Sequence, residues 1–488
     1  MPDLQKPLVV LLGCDTFPPD INGAAKFAER LAAGLARRGH ELHILAPSTN
    51  KRYGTYREVH DGVPLVVHRL KSYRLPQHKT LRFIWPFTLR KRIDHLLEQI
   101  NPDVVHIQSH VNVGRYLSSS AVAAGVKVVA TNHTMPENLI RYSLIIPKFA
   151  EKLAMKLAWK DAERVLSRAS VITTPTRRAA EILEAHTNIR NIHAISCGID
   201  AREFAHASKV SNSKPTALFV GRLDYEKHVH VLIEAFASMP AGLNATLEIV
   251  GDGGERESLE RWAAENKIAD QVKFLGHVSD SGLKEAYDRA TVFVMPSIAE
   301  LQSIATLEAM ASGRPVIAAN AAALPHLVHT GENGYLFEPD NVAELSARLL
   351  QVLTAQQPEL ERMANNSLHL IQAHDITKTL ELFEQIYRGE VIGSVATEDN
   401  HETYTQPIKI TRSVEVGIDS LRTAAKAFRD SATDIRDGVI ERLSGARGEV
   451  VERFEDIGFE VVSRSKRAGR RLEKAIQQAL NRFRRHDR

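Results

Sequence analysis

The chain has 488 residues, 43% of them hydrophobic and 25% charged, with a formal net charge of +4. This length suits two domains of about 150–200 residues plus a remainder, and the composition excludes a fibre or a globally disordered chain. Two distant cysteines, Cys14 and Cys197, exclude a disulfide framework and a cysteine-ligated metal site, and they fit a reducing cytoplasm.

The first apolar run, "PLVVLLGC", lacks the basic leader and the small-residue cleavage site of a signal peptide, so it predicts a buried strand. No stretch reaches the ~18 apolar residues of a membrane-spanning helix. Short apolar runs then alternate with longer amphipathic ones: "AAKFAERLAAGLARRGH", "ELHILAP", "DVVHIQS", "VKVVATNH" and "VITTPT". This order predicts parallel βαβ units with helices on both faces of a sheet.

A second set of runs begins after the polar stretch "HASKVSNSKPT". Its members are "ALFVGRL", "HVHVLIEAFASM", "TLEIVGDG", "ERESLERWAAENK", "VKFLGHV", "SGLKEAYDRA", "VFVMPS", "SIATLEAMASG" and "PVIAAN". The sequence therefore predicts an α/β protein with two doubly wound Rossmann-like domains facing across a cleft, plus a helical C-terminal tail. The expected boundaries are 1–208, 209–390 and 391–488, and the last helix before the tail is expected to pack back on the first domain.

The stretch "MPSIAELQSIATLEAMASGRPVIA" carries the main functional signal. Ser303 is expected to cap a helix from Ile304 to about residue 312, which Gly313 and Pro315 end. The free N–H groups of Ile304, Ala305 and Thr306 would then form an anion site for a phosphate.

Glu300 and Glu308 flank that anion site. Because a carboxylate accepts charge-assisted hydrogen bonds from two vicinal hydroxyls, Glu308 suits a ribose and Glu300 a hexose, which predicts a nucleotide-sugar site. Two isolated glutamates at this spacing are more often solvated helix-end residues. Arg222 and Lys227 in "VGRLDYEK", next to Gly221 at a strand end, favour the functional interpretation, since two cations can neutralise a diphosphate leaving group.

Three further turns lie at predicted strand or helix ends. "IVGDGGERESLE" places Gly251 and Gly253 in a tight turn where backbone can approach a ligand, without the spacing of a dinucleotide motif. Gly23 begins a helix close to where phosphates would lie. His133 ends a strand facing the cleft, although a lone strand-end histidine is more often structural. The chain has no D-x-D, so neither a metal site nor a cofactor is expected.

Together these motifs resemble the retaining nucleotide-sugar glycosyltransferases of family 4, which have the GT-B fold, over about residues 8–390. The segments that match in order and spacing are "NGAAKFAERLAAGLARRGHELHI", "VGRLDYEKHVHVLIEAF", "IVGDGGERESLE", "FLGHVSDSGLKEAYDRATVFVMPS" and "ELQSIATLEAMASGRPVIA". An E-x-Q pattern and "HTMPEN" look more like the subgroup that glycosylates diacylglycerol.

The resemblance implies that Glu300 holds the donor hexose, Glu308 the ribose, and Arg222 with Lys227 the diphosphate. The acceptor hydroxyl would attack from the face that the nucleotide leaves, without a protein nucleophile.

The resemblance also implies that His133 lies near the donor sugar and that Gly23 lines the phosphates from the other domain. The chain departs from the family pattern at Asn22 and His228, where glycine is common. It also has Glu300, Leu301, Gln302 and Ser303 where the family often has E-G-F-G.

Two segments have a composition suited to a membrane surface. "LPQHKTLRFIWPFTLRKRI" mixes basic residues with Phe83, Trp85 and Phe87. In "PKFAEKLAMKLAWKDAERVL" lysines recur every fourth residue, at Lys148, Lys152, Lys156 and Lys160. The neighbouring apolar positions include Phe149, Leu153, Leu157 and Trp159. A core-packed helix with a solvated lysine face is an equally good interpretation.

The tail from 401 to 488 carries 19 Lys or Arg and 14 Asp or Glu, and its last 28 residues hold ten basic and two acidic side chains. This charge favours an anionic membrane surface over nucleic acid, for which no reading motif is present. Apolar residues from Ile418 to Val439 follow an a/d spacing. A coiled coil for self-association, a surface-lying helix and a partly disordered arm remain open.

The sequence thus predicts a hexosyltransferase attached peripherally to the cytoplasmic face of the cell membrane. It would move a hexose from UDP-glucose, UDP-galactose or GDP-mannose to a membrane glycerolipid, with retention. The same chemistry on a soluble sugar or polyol is the alternative. A non-catalytic scaffold is a third possibility, against which the complete set of charged site residues argues.

Overall fold

The structure is a computed structural model that describes residues 6–50, 52–74, 82–136, 151–204, 210–211 and 213–390. The tail from 391 onward, with its a/d spacing and basic end, lies outside the described residues, as do Lys148 and Phe149. Within the described ranges, no helix has both the length and the apolarity needed to cross a membrane.

The first half folds around an eight-stranded sheet with the order β10-β9-β8-β7-β1-β2-β4-β3. Its strands are parallel except for β3, which pairs antiparallel with β4. The strands of this half are β1 (Val9–Gly13), β2 (Glu41–Pro47), β3 (Gly54–His60), β4 (Val63–Leu70), β5 (Tyr73–Arg74), β6 (Arg82–Phe83), β7 (Val104–Ile107), β8 (Lys127–Thr131), β9 (Val171–Thr174) and β10 (His193–Ala194). The helices are α1 (Gly23–Arg37), α2 (Pro86–Ile100), α3 (Asn112–Ala123), α4 (Glu151–Leu166) and α5 (Arg177–His186).

The second half folds around a six-stranded, wholly parallel sheet with the order β13-β12-β11-β14-β15-β16. Its strands are β11 (Thr216–Val220), β12 (Thr246–Val250), β13 (Val272–Gly276), β14 (Val292–Met295), β15 (Val316–Ala319) and β16 (Gly334–Phe337). The helices are α6 (Val229–Ala237), α7 (Arg256–Glu265), α8 (Asp280–Arg289), α9 (Ile304–Ala311), α10 (Val342–Leu353), α11 (Gln357–Leu370) and α12 (Ile376–Arg388).

These two sheets confirm the predicted pair of Rossmann-like domains. In each sheet the first strand, β1 or β11, lies in the interior with strands on both sides, as expected for a doubly wound fold. Their residues are nearly all buried, because helices cover both faces of each sheet.

The hairpin of β3 and β4 was not predicted. Its turn has Asp61 at φ +47° and Gly62 at φ +73°, the two positive values that a type I′ turn requires. The dipeptide Asp-Gly between two strands is a strong hairpin signal, but the prediction of parallel units throughout the first half did not use it.

Helix α12 packs against the first half although it follows the second half in sequence. Phe383 and Tyr387 belong to the same buried cluster as β1 and α1, and the Tyr387 hydroxyl lies 2.6 Å from His106 Nδ1. A Cβ on Gly34 would lie 2.6 Å from Leu380 Cδ1, so α1 and α12 approach closely enough to require glycine. The exact domain boundaries near 208 and 390 stay predictions.

Candidate functional site

Helix α9 begins where the sequence predicted. Ser303 is its N-cap, with Oγ accepting a hydrogen bond from Thr306 N at 3.3 Å, and Gly313 follows the helix at φ +62°. Because the cap uses the N–H of Thr306, the anion site predicted for residues 304–306 rests on Ile304 and Ala305.

The N-terminus of α1 lies beside that of α9. Asn22 caps α1 by accepting from Ala25 N at 2.9 Å, and Gly23 is the first residue of the helix. A Cβ on Gly23 would lie 3.7 Å from Ile304 Cδ1. Each helix N-terminus carries partial positive charge, so two such ends from the two halves of the protein converge on one place.

Glu308 is buried in this cleft and bonded from both sides. Arg30 of α1 donates from Nη2 to Glu308 Oε1 at 2.9 Å, and the Tyr287 hydroxyl donates to Oε2 at 3.2 Å. Burial and the Glu308 charge raise the pKa of Tyr287 well above its ordinary value, so Tyr287 stays a donor.

Sequence reasoning missed Arg30. It lies seven residues after Gly23, two turns along α1 on the same face, and that spacing was the available signal. Its side chain is only 10% exposed, and among the described residues its Nη1 has no hydrogen-bond partner. A buried guanidinium nitrogen of this kind is a ready donor to an anionic ligand.

Glu300 is also buried, and it forms an ion pair with Lys227. Lys227 ends a 3₁₀ turn, Tyr225–Lys227, that is held against the loop before Glu300. There the carbonyl of Glu226 accepts from Ile298 N at 3.1 Å and from Ser297 Oγ at 3.2 Å. The strand ends of β11 and β14 therefore place this cation beside this carboxylate.

Arg222 is engaged by carboxylates of its own turn. Its Nη1 lies 2.6 Å from Asp224 Oδ2 and its Nη2 lies 3.4 Å from Glu226 Oε1. Both cations that the sequence predicted for a diphosphate, Arg222 and Lys227, thus have carboxylate partners in the structure. A diphosphate that binds these cations would either displace the carboxylates or bind beside them.

The glycine turn after β12 approaches the chain itself. A Cβ on Gly251 would lie 1.9 Å from the carbonyl oxygen of Gly221, and one on Gly253 would lie 2.3 Å from that of Leu223. Gly251 also has φ +126°, a conformation suited to glycine. Close contact between the two strand-end turns explains these glycines, and their predicted contact with a ligand stays a prediction.

His133 lies at the end of β8 against α1. Its ring centroid is 4.8 Å from that of Phe27, one turn after Gly23, and Nε2 donates to Gln108 Oε1 at 3.0 Å. Burial lowers the pKa of His133 to about 4, so the ring is neutral at pH 7.

Gln302, the last residue of the E-x-Q pattern, has a structural role. Its Oε1 accepts from Cys197 N at 2.7 Å, while Thr176 Oγ1 donates to the carbonyl of Leu301 at 2.9 Å. The loop that carries Glu300 is therefore bound to the first half of the protein at two adjacent residues.

Family models match both halves of the chain. The family model described as Glycosyltransferase Family 4 matches residues 21–203, and the one described as Glycosyl transferases group 1 matches residues 200–369. A GDP-mannose-dependent alpha-mannosyltransferase of Mycolicibacterium smegmatis is 32% identical over 343 residues, which cover 68% of this chain and 84% of that relative.

An alpha-monoglucosyldiacylglycerol synthase of Acholeplasma laidlawii is 25% identical over 361 residues, 71% of this chain and 88% of the relative. Among solved structures, a sucrose-phosphate synthase from Thermosynechococcus elongatus superposes with a TM-score of 0.65 at 19% identity, covering 78% of this chain and 98% of that one. This chain therefore belongs to the family 4 glycosyltransferases, has their GT-B fold, and is a hexosyltransferase.

Proposed function

We propose that the protein transfers a hexose from a nucleotide diphosphate sugar to a membrane glycerolipid, with retention of the anomeric configuration. The donor part of this proposal is supported by the convergence of the N-termini of α1 and α9 between two buried glutamates. Helix N-termini favour phosphate oxygens, and carboxylates favour sugar hydroxyls.

In the proposed complex the diphosphate lies against Gly23 and Ile304. Glu308 accepts from the ribose hydroxyls, and Glu300 accepts from the hexose. Arg222 and Lys227 donate to the diphosphate. The bond between the anomeric carbon and the phosphate oxygen breaks, and the acceptor oxygen bonds to the same face of that carbon. The acceptor proton passes to the departing phosphate oxygen, so both charge and atoms balance.

The donor base and sugar stay open among UDP-glucose, UDP-galactose and GDP-mannose. The relatives described above differ in this respect, since one is named for GDP-mannose and the other for a glucosylated diacylglycerol. The second name supports a glycerolipid as the acceptor.

The observation that carries the membrane part of the proposal is the exposed face of α4. Leu153 and Leu157, one turn apart, are 61% and 57% exposed. Exposed lysines flank them at Lys152, Lys156 and Lys160. Trp159 is buried, so it anchors the opposite face of the helix in the core. Exposed leucines between lysines suit the boundary of a lipid bilayer.

Helix α2 adds a second basic surface. Trp85 at its start is 56% exposed, and Arg90, Lys91 and Arg92 are exposed as well. Both α2 and α4 pack against α3, so the two surfaces lie on the same side of the first sheet. We place the protein peripherally on the cytoplasmic face of the membrane, with the basic tail as a further contact to anionic lipid.

Vesicle binding and transfer test this proposal. Full-length protein is incubated with anionic vesicles that contain diacylglycerol and with each nucleotide sugar, and co-sedimentation and product are measured. Replacing both leucines, Leu153→Ser and Leu157→Ser, should weaken vesicle binding at least about tenfold, because each buried leucine contributes about 1.5–3 kcal/mol. Hydrolysis of the nucleotide sugar should persist in this variant.

The matched control is Val59→Ser, which removes a 71% exposed apolar side chain from β3 at the edge of the same sheet. It should bind vesicles as the unaltered protein does. Transfer to a soluble sugar or polyol with no vesicle binding would support the alternative acceptor class. A protein that neither hydrolyses nor transfers any of the three nucleotide sugars would support the scaffold.

A further inference from the structure

Two histidines and an aspartate meet at the N-termini of α6 and α10, outside the donor site. One ring nitrogen from each of His228 and His230 and one carboxylate oxygen of Asp340 all lie within 4.8 Å of one another. Within this group His228 Nδ1 is 2.7 Å from Asp340 Oδ1.

The backbone brings these side chains together in two loops. His228 follows the Tyr225–Lys227 turn with φ +48°, a left-handed conformation in which the chain enters α6. His230 lies in the first turn of that helix. Asp340 lies between β16 and α10, with φ +63°, and α10 packs directly on α6. Two conformations that are uncommon for side-chain-bearing residues therefore face one another across a fixed helix pair.

The donor set is that of a borderline transition metal. Zinc binds imidazole nitrogen at about 2.0–2.1 Å and carboxylate oxygen at about 2.0–2.2 Å, which places tetrahedral ligand atoms roughly 3.4 Å apart. A small side-chain movement would bring the three ligand atoms to this spacing. Asp340 can make that movement, because its side chain is 45% exposed. Magnesium prefers an all-oxygen octahedron and fits this set poorly.

Aromatic rings enclose part of the cluster. The ring of Tyr225 lies 5.6 Å from that of His228, and the ring of Trp262 lies 5.9 Å from that of His230. These rings limit the access of water to the cluster. They also place the Trp262 indole close enough for its fluorescence to respond to a bound ion.

We propose that His228, His230 and Asp340 bind one zinc-class divalent cation, with water completing its coordination. This departs from the sequence-based expectation that the chain holds no metal. The bound ion would join the loop after β16 to the turn that ends in Lys227. It is a binding site in its own right and does not depend on the proposed acceptor or donor.

The test uses full-length protein stripped with chelator. Zinc is titrated by calorimetry into the unaltered protein and into the variants His230→Gln and Asp340→Asn. Each variant should bind zinc at least about tenfold more weakly. Even the loss of a residue that only supports a metal ligand lowers metal affinity by about 10–100-fold. The control His43→Gln disrupts a different histidine pair, in which His43 Nδ1 lies 3.0 Å from His68 Nε2, and should leave zinc affinity unchanged.

A second readout locates the ion. Cobalt, which is paramagnetic, should quench tryptophan fluorescence in the unaltered protein and should quench it much less in Trp262→Phe. Equal zinc affinity in all variants would overturn the proposal, and so would a loss of affinity confined to His43→Gln. Quenching that is the same with and without Trp262 would also overturn it. Circular dichroism confirms that each variant is folded.

Discussion

Arg30 of α1 and Glu308 of α9 form a buried ion pair between the two halves of the protein, with 2.9 Å between Nη2 and Oε1. The side chains are 10% and 9% exposed, so solvent screens their attraction little. Glu308 is the carboxylate that we propose for the ribose, so this pair joins the proposed donor site to α1 of the first half.

We expect Arg30→Met and Glu308→Gln to be strongly coupled in stability. Removing one partner leaves the other charge buried without a counter-ion and costs about 3–5 kcal/mol, whereas the double variant removes both charges. Urea unfolding of the four proteins measures the coupling, which should be roughly 1–3 kcal/mol. Additive effects of the two changes on the free energy of unfolding would contradict an energetic coupling between Arg30 and Glu308.

Glu308→Gln and Glu300→Gln should separate binding from turnover. The proposed ribose contact of Glu308 is the same before and during transfer, so its loss should weaken nucleoside diphosphate binding. The proposed hexose contact of Glu300 changes as charge develops, so its loss should lower kcat more than affinity. Calorimetry with UDP and GDP, together with initial rates, measures both, and equal effects on nucleotide affinity would refute the two assignments.

Turnover should survive removal of metal ions. The charge that we propose for the diphosphate comes from Arg222, Lys227 and two helix N-termini, and none of these needs an ion. Rates measured with EDTA should match those measured with added magnesium. Activity that disappears in EDTA and returns with magnesium would contradict this prediction. If zinc alone restored the activity, the result would point instead to the cluster of His228, His230 and Asp340.

Acid should destabilise the protein through buried neutral histidines. Burial lowers the pKa of His106 to about 3 and the pKa values of His110 and His133 to about 4. Below pH 6.5 the unfolded chain binds protons at these rings and the folded protein does not, so stability present above pH 6.5 is lost as the pH falls toward 4. From pH 7 to pH 5 each ring contributes a loss of roughly 2 kcal/mol.

Urea unfolding at the two pH values measures this loss. His133→Asn, which keeps a donor for Gln108, should remove one ring's share of the pH dependence. His60 works in the opposite direction, because burial opposes its charge but hydrogen bonds to Glu29 and Glu58 raise its pKa. A flat stability profile from pH 7 to pH 5 would show that these rings are not neutral in the folded protein.

Truncation after Gly389 should reduce binding to anionic vesicles and leave hydrolysis of the nucleotide sugar intact. The removed segment includes the ten basic side chains of the last 28 residues. Their attraction to anionic lipid should fade as salt shortens the Debye length from ~10 Å at 0.1 M to ~3 Å at 1 M. Vesicle binding that is insensitive to truncation, lipid charge and salt would leave self-association as the better role for the tail.

Local sequence rules predicted the elements that carry the site. Ser303, Gly313 and the run between them define α9 through capping and left-handed backbone, both of which depend on neighbours in the chain. The role of Arg30 could not be obtained in this way, because its partner Glu308 lies 278 residues away. Gly251 was recognised as a turn residue, but its reason, contact with the backbone of Gly221, exists only in the folded sheet.

The docking of α12 has a consequence for synthesis on the ribosome. The core of the second half uses residues between Ile199 and Ile371 only, so that half can complete its packing as soon as it has emerged. The core around β1 and α1 needs Phe383 and Tyr387, which are made some 190 residues after the last strand of its sheet. The half that is translated first therefore matures last, and its apolar surface stays exposed while the second half is being made. Nascent chains halted before Ile376 should consequently be bound by chaperones and cut by proteases within the first half.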